Sequence, residues 1–241
     1  GGPVWGEGQP SHVALHGNAC GARCNYTRQV DYLSGACVML PTPLFKEIGG
    51  FNTFFAPAYY EDTDLAFAVR DKGFKTVYTP FCQVVHYEGV SNGTSTSGEG
   101  LKRFQAINEP KFKGKWVAAY RHNGVVGRDD PLMAQDRNVL LRALVFDAQT
   151  LTPDLDAGSY SATQEIRILQ SLGFKVTFVP SNLAYMGGYT EELQRMGVEV
   201  VYAPFVTSLD AMVRHRAQEF DLFYIARYGV AREVLDTIRE V

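Results

Sequence analysis

Long apolar runs are missing from this chain. None approaches the roughly 20 residues that a membrane-crossing helix needs, so no transmembrane segment is expected. An excess of one charge is missing too. Lysine and arginine number 23 against 26 acidic residues, a net charge of −3, which gives nucleic acid no electrostatic reason to bind. The opening Gly1-Gly2-Pro3-Val4-Trp5 lacks the basic start and apolar centre of a secretory leader. Cysteine is scarce, with four in all. Cys20 and Cys24 form a C-x3-C pair close to His16, but no second Cys/His pair follows at a spacing that completes a four-ligand zinc site. The cysteines therefore read as reduced cytosolic thiols, and the chain as cytoplasmic. No G-x-G-x-x-G follows the apolar run Leu144-Val145-Phe146, so the dinucleotide fingerprint is absent. There is no internal repeat and no low-complexity tract.

What is present is an ordinary globular composition, 46% hydrophobic and 20% charged over 241 residues, enough for one large domain or two small ones. The grammar changes at 122–137, where His122 to Pro131 is polar, glycine-bearing and ends in proline, the signature of a linker. Residues 138–241 are regular. Leu144-Val145-Phe146, Val176 to Val179, Val198 to Tyr202 and Leu222 to Ile225 read as strands. Helices follow in turn, with Ala162, Ile166 and Leu169 on one face of the first, Tyr189 to Met196, Ser208 to about Gln218, and Val230 to Glu240. Strand–helix units in series predict a parallel sheet with helices on its faces, a Rossmann-like α/β arrangement. Ser159 or Ser161 is expected to cap the first helix, and the Ala157-Gly158-Ser159 turn either does no more than that or receives an anion on its free N–H groups.

Residues 1–121 are less regular. The spacing predicts a broken strand over Asp31 to Leu40, helices over Pro43–Ile48, Asp62–Lys72 and Lys102–Trp116, with Pro110 a candidate break in the last, and short strands at Thr76–Tyr78 and Val84–His86. Tyr59-Tyr60-Glu61-Asp62-Thr63-Asp64-Leu65 stands out. Three carboxylates at the start of a helix are stabilised by its partial positive charge, by roughly 0.3–1 kcal/mol each. The same carboxylates, preceded by the tight turn Gly49-Gly50-Phe51 and the aromatic run Phe54-Phe55, are also candidates for general-base work. Ser34-Gly35-Ala36 supplies small residues where a ligand could approach the backbone. His86 ends a β-branched run and is either a structural histidine or a metal ligand.

The motifs SGAC, GGFN, FAPAYYEDTDLAFAVRDKGF and VVHYEGVSNGT, in that order between about Gly1 and Trp116, resemble glycosyltransferase family 2, and match the C-terminal half of its GT-A fold. That resemblance implies a sugar transfer from a nucleotide-sugar donor to a glycan acceptor, inverting, by a hexosyltransferase-type enzyme of bacterial surface-polysaccharide synthesis. It implies Asp62 as the base that deprotonates the acceptor hydroxyl, Glu61 as its support, and Ser34, Gly35, Ala36 and Tyr60 on the substrate side. It implies His86 as a ligand of a divalent Mn²⁺ or Mg²⁺. The family's N-terminal half, with its D-x-D metal motif, has no counterpart upstream of Ser34, and Asn52 stands where the family usually has aspartate. A second resemblance covers about Asn138 to Val241, through Phe146-Asp147, Pro153 to Ser159, Leu172 to Phe178 and Gly197 to Val200. It is to the N-terminal domain of GT-B enzymes of the glycosyltransferase family 4 kind. Together these imply a mixed-sheet partial GT-A domain joined to a partial parallel α/β domain, acting at the inner face of a membrane through peripheral association. Sheet edges left open by missing halves would invite pairing with another chain, which makes a homodimer plausible. The rival reading is a non-catalytic carbohydrate-binding module, with Phe54, Phe55, Tyr59, Tyr60 and Trp116 as stacking surfaces.

Overall fold

The computed structural model describes residues 1–12, 21–85, 87 and 100–241. The chain is α/β, with a two-stranded antiparallel sheet and a four-stranded parallel sheet. It divides into two compact units. The first holds the described residues of Gly1–Leu15 and Arg28–Arg137, the second those of His16–Thr27 and Asn138–Val241.

In the first unit, β1 (Arg28–Gln29) pairs antiparallel with β2 (Val77–Tyr78), Arg28 opposite Tyr78. Helices α1 (Thr42–Glu47), α2 (Glu61–Asp71), α3 (Arg103–Tyr120) and α4 (Pro131–Ala134) complete it. The core is aromatic: Phe55, Tyr60, Phe67, Phe112 and Tyr120 are buried together with Val4 and Tyr32. Phe67 meets Phe112 edge to face with centroids 5.0 Å apart. Full burial of such side chains contributes about 1.5–3 kcal/mol each. Asp31 ties the unit's ends to this core. Its carboxylate accepts from the Val4 amide, from Arg70 of α2 at 2.8 Å and from Arg137 at 2.6 Å.

Several expectations for this unit change. No strand forms over Asp31–Leu40. Tyr32 makes only a bridge to Gly2, and at Ser34 the chain turns, with the Cys37 amide donating to the Ser34 carbonyl and the Ala36 amide to the Ser34 hydroxyl. Side-chain and local backbone acceptors at Ser34 compete with a sheet ladder. Val84 and Val85 are exposed and lie in no strand, because β-branched residues need a pairing edge as well as propensity. Helix α3 runs through Pro110 unbroken as an element. Residues 122–137, read as a linker, fold with this unit. Asp130 caps α4 through the Leu132 amide, and the Arg137 amide donates to the Gln29 carbonyl.

In the second unit, β3 (Leu141–Asp147), β4 (Phe174–Pro180), β5 (Glu199–Val200) and β6 (Leu222–Ile225) form a parallel sheet in the order β5-β4-β3-β6. Helices α5 (Ala157–Ser171), α6 (Gly188–Arg195), α7 (Leu209–Arg216) and α8 (Tyr228–Glu240) connect or follow them. Alternation along β3 sends side chains to opposite faces. Val145, with Val176 and Phe178 of β4, packs under Ala162 and Ile166 of α5 and Leu193 of α6. Leu144 and Phe146 pack under Met212 and Val213 of α7 and Val230 and Val234 of α8. The sheet is thus covered on both faces, and strand order reverses at β3, which pairs with β4 on one side and β6 on the other. Residues 21–27 belong here. Ala22 joins the core beneath α7 and α8, and the Thr27 amide donates to the Gln194 carbonyl. Ser208 caps α7 as expected, through the Ala211 amide. The cap of α5 is Asp156, whose carboxylate accepts from the Ser159 amide at 2.7 Å. Ser159 and Ser161 lie inside the helix.

Candidate functional site

Helix α2 begins abruptly. Tyr59 and Tyr60 both have φ of 71°, a left-handed conformation that costs a tyrosine of order 1–3 kcal/mol. The cost is met by Asn108, buried in the middle of α3. Its amide nitrogen donates to the carbonyls of Phe55 at 2.7 Å, Ala58 at 2.9 Å and Tyr59 at 3.0 Å. Lys111 adds a bond to the Phe54 carbonyl. The loop before α2 is therefore fastened from behind. The Tyr60 ring lies in the core against Phe112, and Phe55 is buried in the same cluster, so these two rings present no stacking surface, whereas Trp116 is partly buried and Phe54 is exposed.

The three carboxylates of α2 go to three different places. Asp64 is buried and accepts from Lys115 Nζ at 2.7 Å and Trp116 Nε1 at 2.6 Å, fastening α2 to α3. Asp62 faces the other way. Its Oδ2 accepts from the Gly35 amide at 2.9 Å, and its Oδ1 from the Thr63 amide at 2.7 Å and the Thr63 hydroxyl at 3.2 Å. Glu61 is half-buried. Burial pushes its carboxyl above the ordinary range, its backbone hydrogen bond pulls it down, and the Asp62 charge pushes it up. Its Oε2 has no hydrogen-bond partner. The Ser34-Gly35-Ala36 turn and Asp62 thus come together, with Glu61 beside them. The Asp62 charge also reaches Tyr32, whose hydroxyl is pushed far up by burial first and by Asp62 second.

Asp62 forms part of the wall of a pocket of about 190 Å³, otherwise mainly apolar, with Leu33, Leu40, Leu65 and Val69 among its lining and Thr76 on its wall. A carboxylate at the edge of such a pocket, held by a backbone amide and open on one side, can take a proton from a hydroxyl that comes within about 2.6–3.2 Å. Because Asp62 and Asp64 diverge, the D-T-D spelling is not a chelating pair. Among the described residues, no three His, Cys, Asp or Glu side chains converge on a place that could hold a metal ion. His86 lies outside the described residues.

Asn108, Asp31 and the Asp64 clamp were not singled out in the sequence. Asn108 carried one signal: asparagine is a poor residue for a helix interior and prefers to bond backbone groups, which is what it does here across 49–53 residues of chain.

The second unit gathers charge where its strand order reverses. Asp147, at the end of β3, is buried, and its Oδ1 accepts from the Ala148 amide at 2.6 Å and from Arg227 Nε at 3.0 Å. Its Oδ2 has no partner. Arg227 stands just before α8, and its guanidinium crosses the start of α5 so closely that a Cβ on Gly158 would collide with it. The Asp147 bond raises the Arg227 pKa. Hydrogen bonds from Ser159 lower that of Asp156. A guanidinium at a helix start, at the carboxyl ends of parallel strands, is a place where an open α/β sheet can meet an anion.

No family model matches the chain, and no solved structure matches it significantly. A stretch of 144 residues, 56% of this chain and 15% of the relative, is 27% identical to "Uncharacterized protein y4gI" of Sinorhizobium fredii. A stretch of 66 residues, 27% of this chain and 21% of the relative, is 35% identical to the N-acetylglucosaminyl-diphospho-decaprenol L-rhamnosyltransferase of two strains of Mycobacterium tuberculosis. The chain therefore spans about a fifth or less of the length of these relatives. No helix among the described residues is long and apolar enough to cross a membrane.

Proposed function

We propose that the first unit is the acceptor-side half of a sugar-transfer site, the C-terminal half of a family 2 GT-A domain. On this reading the protein moves a sugar from a nucleotide-sugar donor to a hydroxyl of a growing surface glycan. The observation that carries it is the convergence of the Ser34–Ala36 turn on Asp62, with the Gly35 amide on Oδ2. The similarity over 66 residues to a protein named as a rhamnosyltransferase supports the same reaction class.

In this mechanism Asp62 accepts the acceptor's hydroxyl proton while the oxygen attacks the anomeric carbon from the face opposite the leaving nucleoside diphosphate. One displacement inverts the configuration. Glu61, with its raised pKa and unpartnered oxygen, tunes the polarity beside Asp62. The described residues do not assemble a metal site, so the divalent cation rests on the resemblance, and no step here runs through it. The second unit is read as the N-terminal, Rossmann-like part of a GT-B domain of the family 4 kind, acting at the cytoplasmic face of a membrane.

The test is transfer from a panel of labelled nucleotide sugars to polyprenyl-diphosphate-linked glycan acceptors, using the longest natural product that carries this chain. Product of inverted configuration, lost in Asp62→Asn, is the expected result. A product unaffected by that substitution removes Asp62 from the chemistry, and glycan binding without any transfer points to a binding module.

A further inference from the structure

Helix α3 has two unlike faces. Asn108, Phe112 and Tyr120 are buried, with Trp116 partly buried, all at intervals of four residues on the side turned to the core. The opposite side carries Arg103, Ile107, Lys111, Gly114, Ala118 and, at the C-cap, Arg121. They form one stripe, at intervals of three and four residues, that runs about 27 Å along the helix. All are exposed except Lys111, which is partly so. No acidic side chain lies on the stripe. Between Lys102 and Arg121 six basic residues stand against the single acid Glu109, in a chain whose net charge is −3. Glu109 pairs with Lys113, and Lys115 with the buried Asp64, so these charges cancel at the edge of the face. Among the described residues, Arg103, Lys111 and Arg121 have no ion-pair partner. The surface continues off the helix. Phe54, on the loop before α2, is half-exposed like Ile107 and Val117. Lys111 Nζ lies over the Phe54 ring, 5.1 Å from its centroid, and donates to the Phe54 carbonyl at 2.9 Å, which joins ring and cation in one patch.

We propose that the outer face of α3, together with Phe54, is a docking surface for a bilayer that contains anionic phospholipid. A helix face that mixes cations with apolar side chains lies along the headgroup layer, its cations on lipid phosphates and its apolar groups at the acyl boundary. Arginine and lysine have stems long enough to hold their charge at the headgroups while Ile107, Val117 and Phe54 sit deeper. Charge decides against a second copy of the chain, because two such faces would set unpaired cations against one another. Shape decides against a folded acidic partner. Single half-exposed side chains on a convex helix need matching holes in a protein surface, whereas fluid lipid closes around each of them. The inference rests on exposure and charge alone. It asks nothing of the sugar-transfer reading, and it gives the membrane location proposed with that reading a physical contact.

The experiment sediments the 241-residue chain with vesicles of phosphatidylcholine alone, and of phosphatidylcholine and phosphatidylglycerol in equal parts, at low and high salt. The expected result is binding to the anionic vesicles and not to the neutral ones, weakened by salt. Arg103→Gln combined with Arg121→Gln should weaken the partition about 25-fold, about fivefold for each cation. The same charge removed from exposed positions of the second unit, by Arg167→Gln with Arg232→Gln, should leave it unchanged. Ile107→Asp with Val117→Asp should abolish it. All six positions are exposed, and circular dichroism shows whether each variant remains folded. Equal losses from the two arginine pairs would reduce the binding to general charge and overturn the face. Indifference to anionic lipid would overturn it too, as would self-association without vesicles that Ile107→Asp abolishes, which gives the face to a second copy. No sugar nucleotide enters the assay. Absence of vesicle binding with transfer to a water-soluble acceptor intact therefore removes the docking face alone, and vesicle binding without transfer removes the enzymatic reading alone.

Discussion

The Gly35 amide and the Asp62 carboxylate meet at 2.9 Å across 27 residues of sequence. The bond does two things at once. It anchors a turn with no ladder of its own, and it aims one face of a carboxylate that is already held at its other oxygen by Thr63. Asparagine can keep the Gly35 bond through its side-chain oxygen, but its NH2 then faces the Thr63 amide in place of an acceptor, and it cannot accept a proton at neutral pH. Asp62→Asn is therefore expected to lower transfer by about 10²–10⁴-fold, the usual contribution of a general base, with a smaller loss in the melting midpoint than Asp62→Ala. Asp62→Ala, which also frees the turn, should lose both activity and stability. Equal melting losses in the two variants would mean that the carboxylate's charge, and not its acceptor role, holds the turn.

Asn108 sets the entry to α2 from the opposite side. Asn108→Ala removes the shared donor of three carbonyls, one of them fully buried with it. Leaving buried carbonyls unpaired costs about 1–3 kcal/mol, and the strained Tyr59 and Tyr60 backbones then lose the contact that holds them. The expected outcome in urea is a lower midpoint with an unchanged slope. Transfer should fall as well, because Asp62 follows two residues after Tyr60. Full activity at reduced stability would separate the loop's fastening from the aim of Asp62.

Much of this could be read from the residues beforehand, and the exceptions share a cause. The second unit's strands were legible because apolar runs alternate with helical periodicity, and burial on both sheet faces enforces that pattern. The meeting of Ser34–Ala36 with Asp62 was suggested only by motif resemblance, since nothing local to either segment encodes a contact made through tertiary packing. Residues 31 to 40 misled because Tyr32, Leu33, Val38 and Leu40 suit a strand and the small residues between them read as no more than a break in it, yet Ser34 satisfies its neighbours' amides locally. The α5 cap was misassigned to serines because Ser159 and Ser161 are good capping residues. Asp156, three positions earlier, already supplies the acceptor. Asn108 and Asp31 act on partners far away in sequence, and residue type alone does not announce such partners.

Glu61 gives a prediction of unusual sign. Its folded-state pKa is raised, with burial the leading cause. The folded chain then binds a proton more tightly than the unfolded chain. Stability from this group is full below the ordinary carboxylate pKa and is lost as pH rises through the raised folded value. Glu61→Gln should therefore increase the melting midpoint at neutral pH and leave it nearly unchanged in mild acid. A neutral-pH loss would show that the Glu61 carboxylate has a stabilising partner when ionised.

Glu199 carries the opposite sign in the second unit. It is fully buried at the start of β5 and accepts from Arg216 at 2.7 and 3.1 Å, from Lys175 at 3.3 Å and from Thr177 at 3.1 Å. Arg216 in turn holds Glu219, which also bonds Arg23, and Lys175 reaches the Tyr26 hydroxyl at 2.7 Å. The network thus fastens residues 21–27 to β4, β5 and α7. Burial alone would push the Glu199 carboxyl up. The Lys175 and Arg216 charges overcome it and hold the pKa far below the ordinary range. A depressed folded pKa means that the network's stability is present above the unfolded carboxylate value, about 4.3, and is lost as pH falls from there toward the folded value. Glu219 is lowered as well, against its own burial, and adds in the same direction. Glu199→Gln removes the buried carboxylate that Lys175 and Arg216 share, leaving Arg216 with Glu219 alone, and should cost about 3–5 kcal/mol at neutral pH. The variant should also lose less stability than the wild type between neutral pH and mild acid, because part of the acid-sensitive contribution has been removed. Denaturation curves at several pH values decide it. Parallel acid limbs for the two proteins would mean that the network does not titrate on unfolding, and that the acid sensitivity of this unit lies elsewhere.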